Sequence, residues 1–119
     1  MTGLIYKILR PQEWRDATEN SAYSGAPVDI ADGFVHFSTE AQVADTAVKH
    51  FGDSDRIHLL GFRPDVFPAH TLKWEKSRGG DLFPHLYAPL NITLACERLS
   101  LSRRIDGTFD FSFLKKDKA

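Results

Sequence analysis

Apolar and polar positions along the chain alternate between two periods, and the change from one to the other marks the elements. Leu4 to Leu9 is an apolar run interrupted only at Lys7; its Ile, Leu and Tyr content predicts a strand, with Lys7 marking one face. Pro11 suits the first turn of a helix, where its missing N–H needs no partner. Gln12 to Asn20 continue that helix with Trp14 and Ala17 inward and Thr18 at the margin. Ser21 to Ile30 carries Tyr23, Gly25 and Pro27 without a period and reads as a surface loop, with Tyr23 a candidate to reach a cleft.

Gly33 to Ser38 is a short β-rich run, and Thr39 with Gln42 matches a capping box, so this strand is expected to feed directly into a helix. That helix runs to about Phe51 with Val43, Ala44, Ala47, Val48 and Phe51 on one face, and Gly52 supplies a left-handed end. Ile57 to Phe62 reads as a strand, and Pro64 and Pro68 as turns. Leu72 and Trp74 alternate with Lys73 and Glu75 in a strand that runs into Gly79 and Gly80, and residues 77–90 follow as irregular backbone. Ile92, Leu94 and Cys96 alternate with Thr93, Ala95 and Glu97 as a half-buried strand. Asp106-Gly107 is a two-residue hairpin signal, with Phe109, Phe111 and Phe113 on one face beyond it, so the last two strands should form a hairpin. Two short helices in the N-terminal half and several later strands indicate an α+β fold with a mixed or antiparallel sheet.

The 119 residues, 42% hydrophobic and 26% charged, fit one globular domain spanning 1–119. A net charge of −1 gives no global reason to bind nucleic acid or an anionic membrane, and the basic end at Lys115, Lys116 and Lys118 reads as a solvated tail. No stretch is apolar for long enough to span a bilayer, and the start lacks a basic segment followed by an apolar run. Cys96, the single cysteine, excludes an internal disulfide and suits a reducing compartment, so a cytoplasmic location is expected. Its strand position predicts a small buried hydrophobe.

The candidate chemistry lies in two stretches. In Lys73 to Leu90, the Gly79-Gly80 pair can adopt positive φ and aim N–H groups at an anion, and Arg78 offers a fork for phosphate or carboxylate; an ordinary tight turn explains the same residues equally well. His85 and Tyr87, two apart between Pro84 and Pro89, point the same way in extended backbone, with a packed plug as the bland alternative. In Gly33 to Thr39, Phe34, His36 and Ser38 share one face just before the expected helix N-terminus, a place that favours an anion. A metal site would need His36, His85 and Glu75 or Asp81 brought together by folding, and a hydrolase triad of Ser38, His85 and Asp81 lacks the Gly-x-Ser-x-Gly elbow. His50, His58 and His70 have no motif around them.

Gly33-Phe34-Val35-His36-Phe37-Ser38-Thr39, followed by Trp74-Glu75-Lys76-Ser77-Arg78-Gly79-Gly80-Asp81-Leu82-Phe83-Pro84-His85-Leu86-Tyr87-Ala88-Pro89-Leu90, resembles the small bacterial family called domain of unknown function family 952, or DUF952. The resemblance starts at Ile5-Tyr6 and departs at Lys7, where a histidine is usual, and at Ala88, where glycine is common. It implies a distant relationship to the ADP-ribosyltransferase fold, a split β-core with NAD as the candidate cofactor; the family's own activity is unassigned. On that basis Arg78, Gly79 and Gly80 would hold phosphates, Tyr87 or Tyr23 would stack on a ring, and His36 and Ser38 would meet ribose hydroxyls, with Thr39 beside them. Glu75 or His85 would supply acid–base or charge stabilisation. The expected partner is a small nucleotide or metabolite. A noncatalytic binding module built on Trp74, Phe83, His85 and Tyr87, and a metal-assisted hydrolase, are the alternatives.

Overall fold

A computed structural model describes residues 3–19, 23, 25–76 and 80–114. The elements run β1 (Ile5–Leu9), α1 (Pro11–Glu19), α2 (Pro27–Asp32), β2 (Val35–His36), β3 (Ser38–Thr39), α3 (Val43–Phe51), β4 (Arg56–Phe62), β5 (Leu72–Lys76), β6 (Leu82–Leu86) and β7 (Glu97–Ser102). The strands form a four-stranded sheet, ordered β3-β1-β4-β7, and a three-stranded sheet, ordered β2-β6-β5. Every pairing in both is antiparallel. The α+β class is as expected, and among the described residues no helix is long and apolar enough to cross a membrane.

The short run from Gly33 to Thr39 serves both sheets. Val35 pairs with Leu86 and His36 with His85 in the second sheet, whereas Ser38 pairs with Tyr6 and Thr39 with Ile5 in the first. Phe37 is the crossing point: its N–H donates to the Pro84 carbonyl at 3.0 Å. Proline has no N–H to return, so the ladder stops there and the chain is released to the other sheet.

β1 is buried along its whole length, Lys7 included. Its two faces serve different cores. Ile5 and Leu9 pack with Val35, Leu60, Phe62 and Leu86 on the side of the second sheet, and Tyr6 and Ile8 pack with Val43, Ala47, Ile57 and Leu59 against α3. By alternation Lys7 falls on the side of Ile5 and Leu9, so it marks no solvent face. Its partner there is Asp29, described below.

α1 follows the expected pattern: Ala17 is buried, Trp14 stacks on His58 at 5.0 Å, and the Glu13 carboxylate accepts from Arg10 N–H at 2.9 Å. α2 replaces part of the expected loop. Pro27 opens it with a preset φ, the Asp29 side chain accepts from Ala26 N–H at 2.7 Å, and Gly33, at φ +85°, ends it by donating to the Asp29 carbonyl at 2.9 Å. Six residues are too few to show a helical period, which is why the sequence pattern missed them.

Other expectations shift. α3 begins at Val43, after a turn in which the Gln42 side chain accepts from Thr39 N–H at 3.0 Å; the reach-back half of the capping box forms, one turn before the helix. Gly52 is right-handed at φ −64°, and the inward face narrows to Val43 and Ala47 with half-buried Phe51 packed beside them, while Val48 and Ala44 are exposed. Residues 82–86 are regular strand instead of irregular backbone. Ile92–Leu94 form a 3-10 turn capped by Asn91, whose side chain accepts from Thr93 N–H, so β7 starts only at Glu97 and Cys96 is exposed. The Asp106-Gly107 turn exists, with Thr108 N–H on Asp106, yet among the described residues no strand follows it: β7 pairs with β4, and Phe109 and Leu114 fold back into the α3 side of the core.

Candidate functional site

Alternation in β2, β5 and β6 sorts the second sheet into two faces. Val35, Leu72 and Leu86 pack toward the core, while Phe34, His36, Glu75, Phe83, His85 and Tyr87 share the opposite face. Cross-strand register makes His36 and His85 direct partners, their rings 5.5 Å apart edge-on. Two motif histidines nearly fifty positions apart in the chain thus stand side by side. Both line a cavity of about 720 Å³ bounded by β1, α2, α3 and the start of the second sheet, with Lys7, Arg10, Asp32, Ser38 and Phe83 among its other walls.

Each imidazole has a carboxylate at Nδ1. Asp29 Oδ1 lies 2.5 Å from His36 Nδ1, and Glu75 Oε1 lies 2.8 Å from His85 Nδ1. A carboxylate can only accept, so both Nδ1 atoms carry protons and both rings are held in one orientation. At His36 a second carboxylate, Asp32 Oδ2, faces Nε2 at 3.0 Å. Both contacts are hydrogen bonds when the ring carries two protons. His85 instead presents Nε2 as the ring nitrogen left for a ligand.

Behind His36 sits the most buried polar group of the site. The Asp29 carboxylate takes Lys7 Nζ at 2.8 Å, Ala26 N–H at 2.7 Å and His36 N–H at 3.0 Å besides the imidazole. Burial alone would raise its pKa; the His36 hydrogen bond, the Lys7 charge and hydrogen bond, and the Ala26 N–H outweigh that and hold the carboxyl well below the usual carboxylate range. Asp29 therefore stays ionised, joining β1 of one sheet to β2 of the other through α2.

Behind His85, Glu75 Oε1 also accepts from the Tyr87 hydroxyl at 2.8 Å, and Lys73 Nζ stands 4.9 Å from the Tyr87 ring centre. The hydrogen bonds from His85 and Tyr87 lower the Glu75 pKa. The same Glu75 bond, with burial and the Glu75 charge, raises that of Tyr87. Phe34 stacks on His85 at 4.1 Å and touches the His36 and Tyr87 rings at 4.6 and 5.2 Å, closing one side of the imidazole pair.

The residues singled out in sequence separate accordingly. His36, His85 and Ser38 line the cavity, the Ser38 hydroxyl donating to Thr46 Oγ1 at 3.2 Å. Glu75 and Tyr87 lie behind His85 and orient it. Thr39 is spent on β3 and on Gln42, and Gly80, at φ +82°, is an exposed turn residue; neither lines the cavity. Arg78 and Gly79 lie outside the described residues, as does the basic tail. Tyr23 does not reach the cleft: it bridges to Leu90, and its buried hydroxyl has no hydrogen-bond partner among the described residues. Burial first, then the Glu13, Asp29 and Asp16 charges, raises its pKa. Among the described residues no group of three His, Cys, Asp or Glu side chains is placed to hold a metal ion, so the His36–His85–carboxylate metal site finds no support.

Lys7, Asp29 and Asp32 were not legible as site residues. The available signal was the lysine inside an otherwise apolar strand, because a buried ammonium requires a buried carboxylate.

A family model described as "Protein of unknown function (DUF952)" matches residues 8–97. The chain is similar to protein CC0527 from Caulobacter crescentus, whose X-ray structure shares 39% identity over 92% of this chain and 96% of that one, with a TM-score of 0.86. The solution NMR structure of CC0527 gives 40% identity over 95% and 96% of the two chains, with a TM-score of 0.80. No curated protein matches.

Proposed function

The chain belongs to the DUF952 family of proteins of unknown function, and on that premise we propose that its cavity binds a small nucleotide, NAD among the candidates, and performs acid–base chemistry on it with His36 and His85. The observation that carries this reading is the direct pairing of two carboxylate-oriented imidazoles on the wall of one cavity. Imidazoles fixed in this way suit general acid and base roles. In this account His85 accepts a proton at Nε2, oriented from behind by Glu75, while His36 donates one.

The cavity, at about 720 Å³, lies within the size range of small-molecule sites. In this reading Ser38 and His36, both on the cavity wall, meet the ribose hydroxyls. The proposed distant relationship to the ADP-ribosyltransferase split β-core draws support from the two antiparallel sheets that share the Gly33–Thr39 run beside the cleft. One role changes: Glu75, engaged by His85 and Tyr87, acts here as a positioning residue and not as the group that steadies a ribose cation. The phosphate roles of Arg78 and Gly79 rest on sequence chemistry. The noncatalytic alternative has its own support in the exposed side chains of Trp74 on β5, Leu82 on β6 and Tyr87 just beyond it.

Titration of isotopically labelled protein with NAD, followed by amide shifts, tests the binding. Shifts should cluster at Lys7, Asp29 to Ser38 and Phe83 to Tyr87, and no shift at millimolar ligand would sink the nucleotide reading. Turnover separates enzyme from module: His85→Ala should lose turnover at least tenfold with its fold intact, whereas recovery of unchanged NAD and of water-incubated products at background level from wild type would favour the module.

A further inference from the structure

Both lysine and arginine on the cavity wall are already engaged by the protein. Lys7 Nζ sits 2.8 Å from Asp29 with both side chains buried. Arg10 Nη2 donates to the His50 carbonyl at 2.7 Å and to Asp53 at 3.1 Å, and its guanidinium lies over Phe51 at 4.6 Å. A phosphate entering the cavity would find Lys7 held by a buried carboxylate and would approach Asp29 and Asp32 besides, with only the outer, half-exposed Arg10 to offset their charge.

Groups that accept hydrogen bonds are better placed. The Asp32 side chain is 47% exposed at the mouth, against 0% for Asp29, so the two carboxylates on His36 differ in how firmly they are held. A contact between half-exposed partners is weak and readily exchanged; the buried one is not. Ser38 and Thr46 hydroxyls and His85 lie further along the wall, and Val28, Phe51 and Phe83 supply apolar surface for a ring.

We infer that the part of the ligand entering this cavity is uncharged or cationic and rich in O–H or N–H donors, a nucleoside-like head and not a phosphate, and that Asp32 is the specificity-determining residue that receives it. This rests on the nucleotide reading of the same cavity and refines it: any phosphates stay outside. Binding exchanges the Asp32–His36 contact for an Asp32–ligand contact. His36 Nε2 is then turned over to the ligand, so recognition of the head and exposure of the acid are one event.

The test is an NMR titration of the full chain with three probes, nicotinamide riboside as the cation, adenosine as the neutral nucleoside and inorganic pyrophosphate as the anion, repeated on Asp32→Asn. The riboside should shift the amides of Asp32, His36 and Ser38, with adenosine weaker at the same positions, and pyrophosphate should leave all three unmoved. Asp32→Asn should weaken the riboside tenfold or more while the rest of the spectrum shows an intact fold. Pyrophosphate shifting Lys7 and His36 more strongly than either nucleoside would overturn the inference, as would unchanged riboside affinity in Asp32→Asn. Should NAD and pyrophosphate bind and the nucleosides not, this inference falls and the nucleotide reading survives; should none of them bind, NAD included, both fall.

Discussion

Replacing Asp29 by alanine removes the carboxylate that holds α2, β1 and β2 together. Four donors lose their acceptor, namely Lys7 Nζ, Ala26 N–H, His36 N–H and His36 Nδ1–H. The gravest loss is at Lys7, whose side chain is 6% exposed and would be left as a buried ammonium without a counter-charge. Breaking a buried pair from one side costs about 3–5 kcal/mol, because the surviving charge keeps its desolvation penalty. Domains of this size are stable by about 5–15 kcal/mol, so Asp29→Ala should remove a large fraction of the total. At about 4 °C per kcal/mol the midpoint of thermal unfolding should fall by roughly 10–20 °C. Urea unfolding followed by Trp14 and Trp74 fluorescence and by circular dichroism measures it directly, with an unchanged m-value as the check that the change is one of stability.

The companion variant is Lys7→Met with Asp29→Ala, which removes the stranded ammonium along with the carboxylate; it should regain at least half of the loss. The dependence on pH has a definite sign. The folded-state pKa of Asp29 lies below the unfolded value, ordinarily about 3.9. The unfolded chain therefore binds the proton first, and the stabilisation is whole above about pH 5 and lost as the pH falls through about 4 toward the folded value. A cost below about 1 kcal/mol for Asp29→Ala, the size of a surface ion pair, would refute the burial of this network.

Two further outcomes follow from the same geometry. Gly33→Ala should cost about 1–2 kcal/mol, since φ is +85° but the added methyl meets nothing, and Gly25→Ala should cost more, because its methyl would overlap Asp29 Cβ; urea unfolding giving the opposite order would contradict the close packing of Gly25 against Asp29. The Tyr87 phenol, held above its ordinary 10.0 first by the Glu75 hydrogen bond, should titrate closer to 10.0 in Glu75→Gln, as read by ¹³C-labelled tyrosine NMR, and an unmoved titration would dissolve the His85–Glu75–Tyr87 cluster.

Where a period of two or of 3.6 persisted over several residues, the sequence was readable. β1, α1, β4 and β5 fall within a residue or so of their expected places, and the alternation Phe34–His36 and His85–Tyr87 put those side chains on the correct face. Illegibility has particular causes. α2 is stabilised by one side chain reaching other elements, and no local period records that. The apparent strand at Ile92 to Cys96 competes with an Asn91 side chain that captures Thr93 N–H and Oγ1, a local bond that turns the backbone before the sheet can claim it. Beyond Gly107 the alternating phenylalanines had a nonlocal alternative to a hairpin, since β4 was already paired on that side by β7 and the core could take Phe109 directly.

The placement of the site follows from the sheet change at Phe37. A strand that stayed in one sheet would give His36 and Ser38 a common ladder and leave no gap between the layers. Pro84 ends the ladder one residue after His36, so the imidazole remains with β6 and faces His85 while Ser38 moves to β1 and faces α3. The space opened by that divergence would expose Lys7, and Asp29 closes its floor by bonding to both sides. Stability and the orientation of His36 are thereby coupled through one carboxylate. Any substitution that frees Asp29 should loosen the orientation of His36 before it unfolds the chain, and a variant such as Asp29→Asn should show altered His36 ring shifts while the amides of β4 and β7 stay in place.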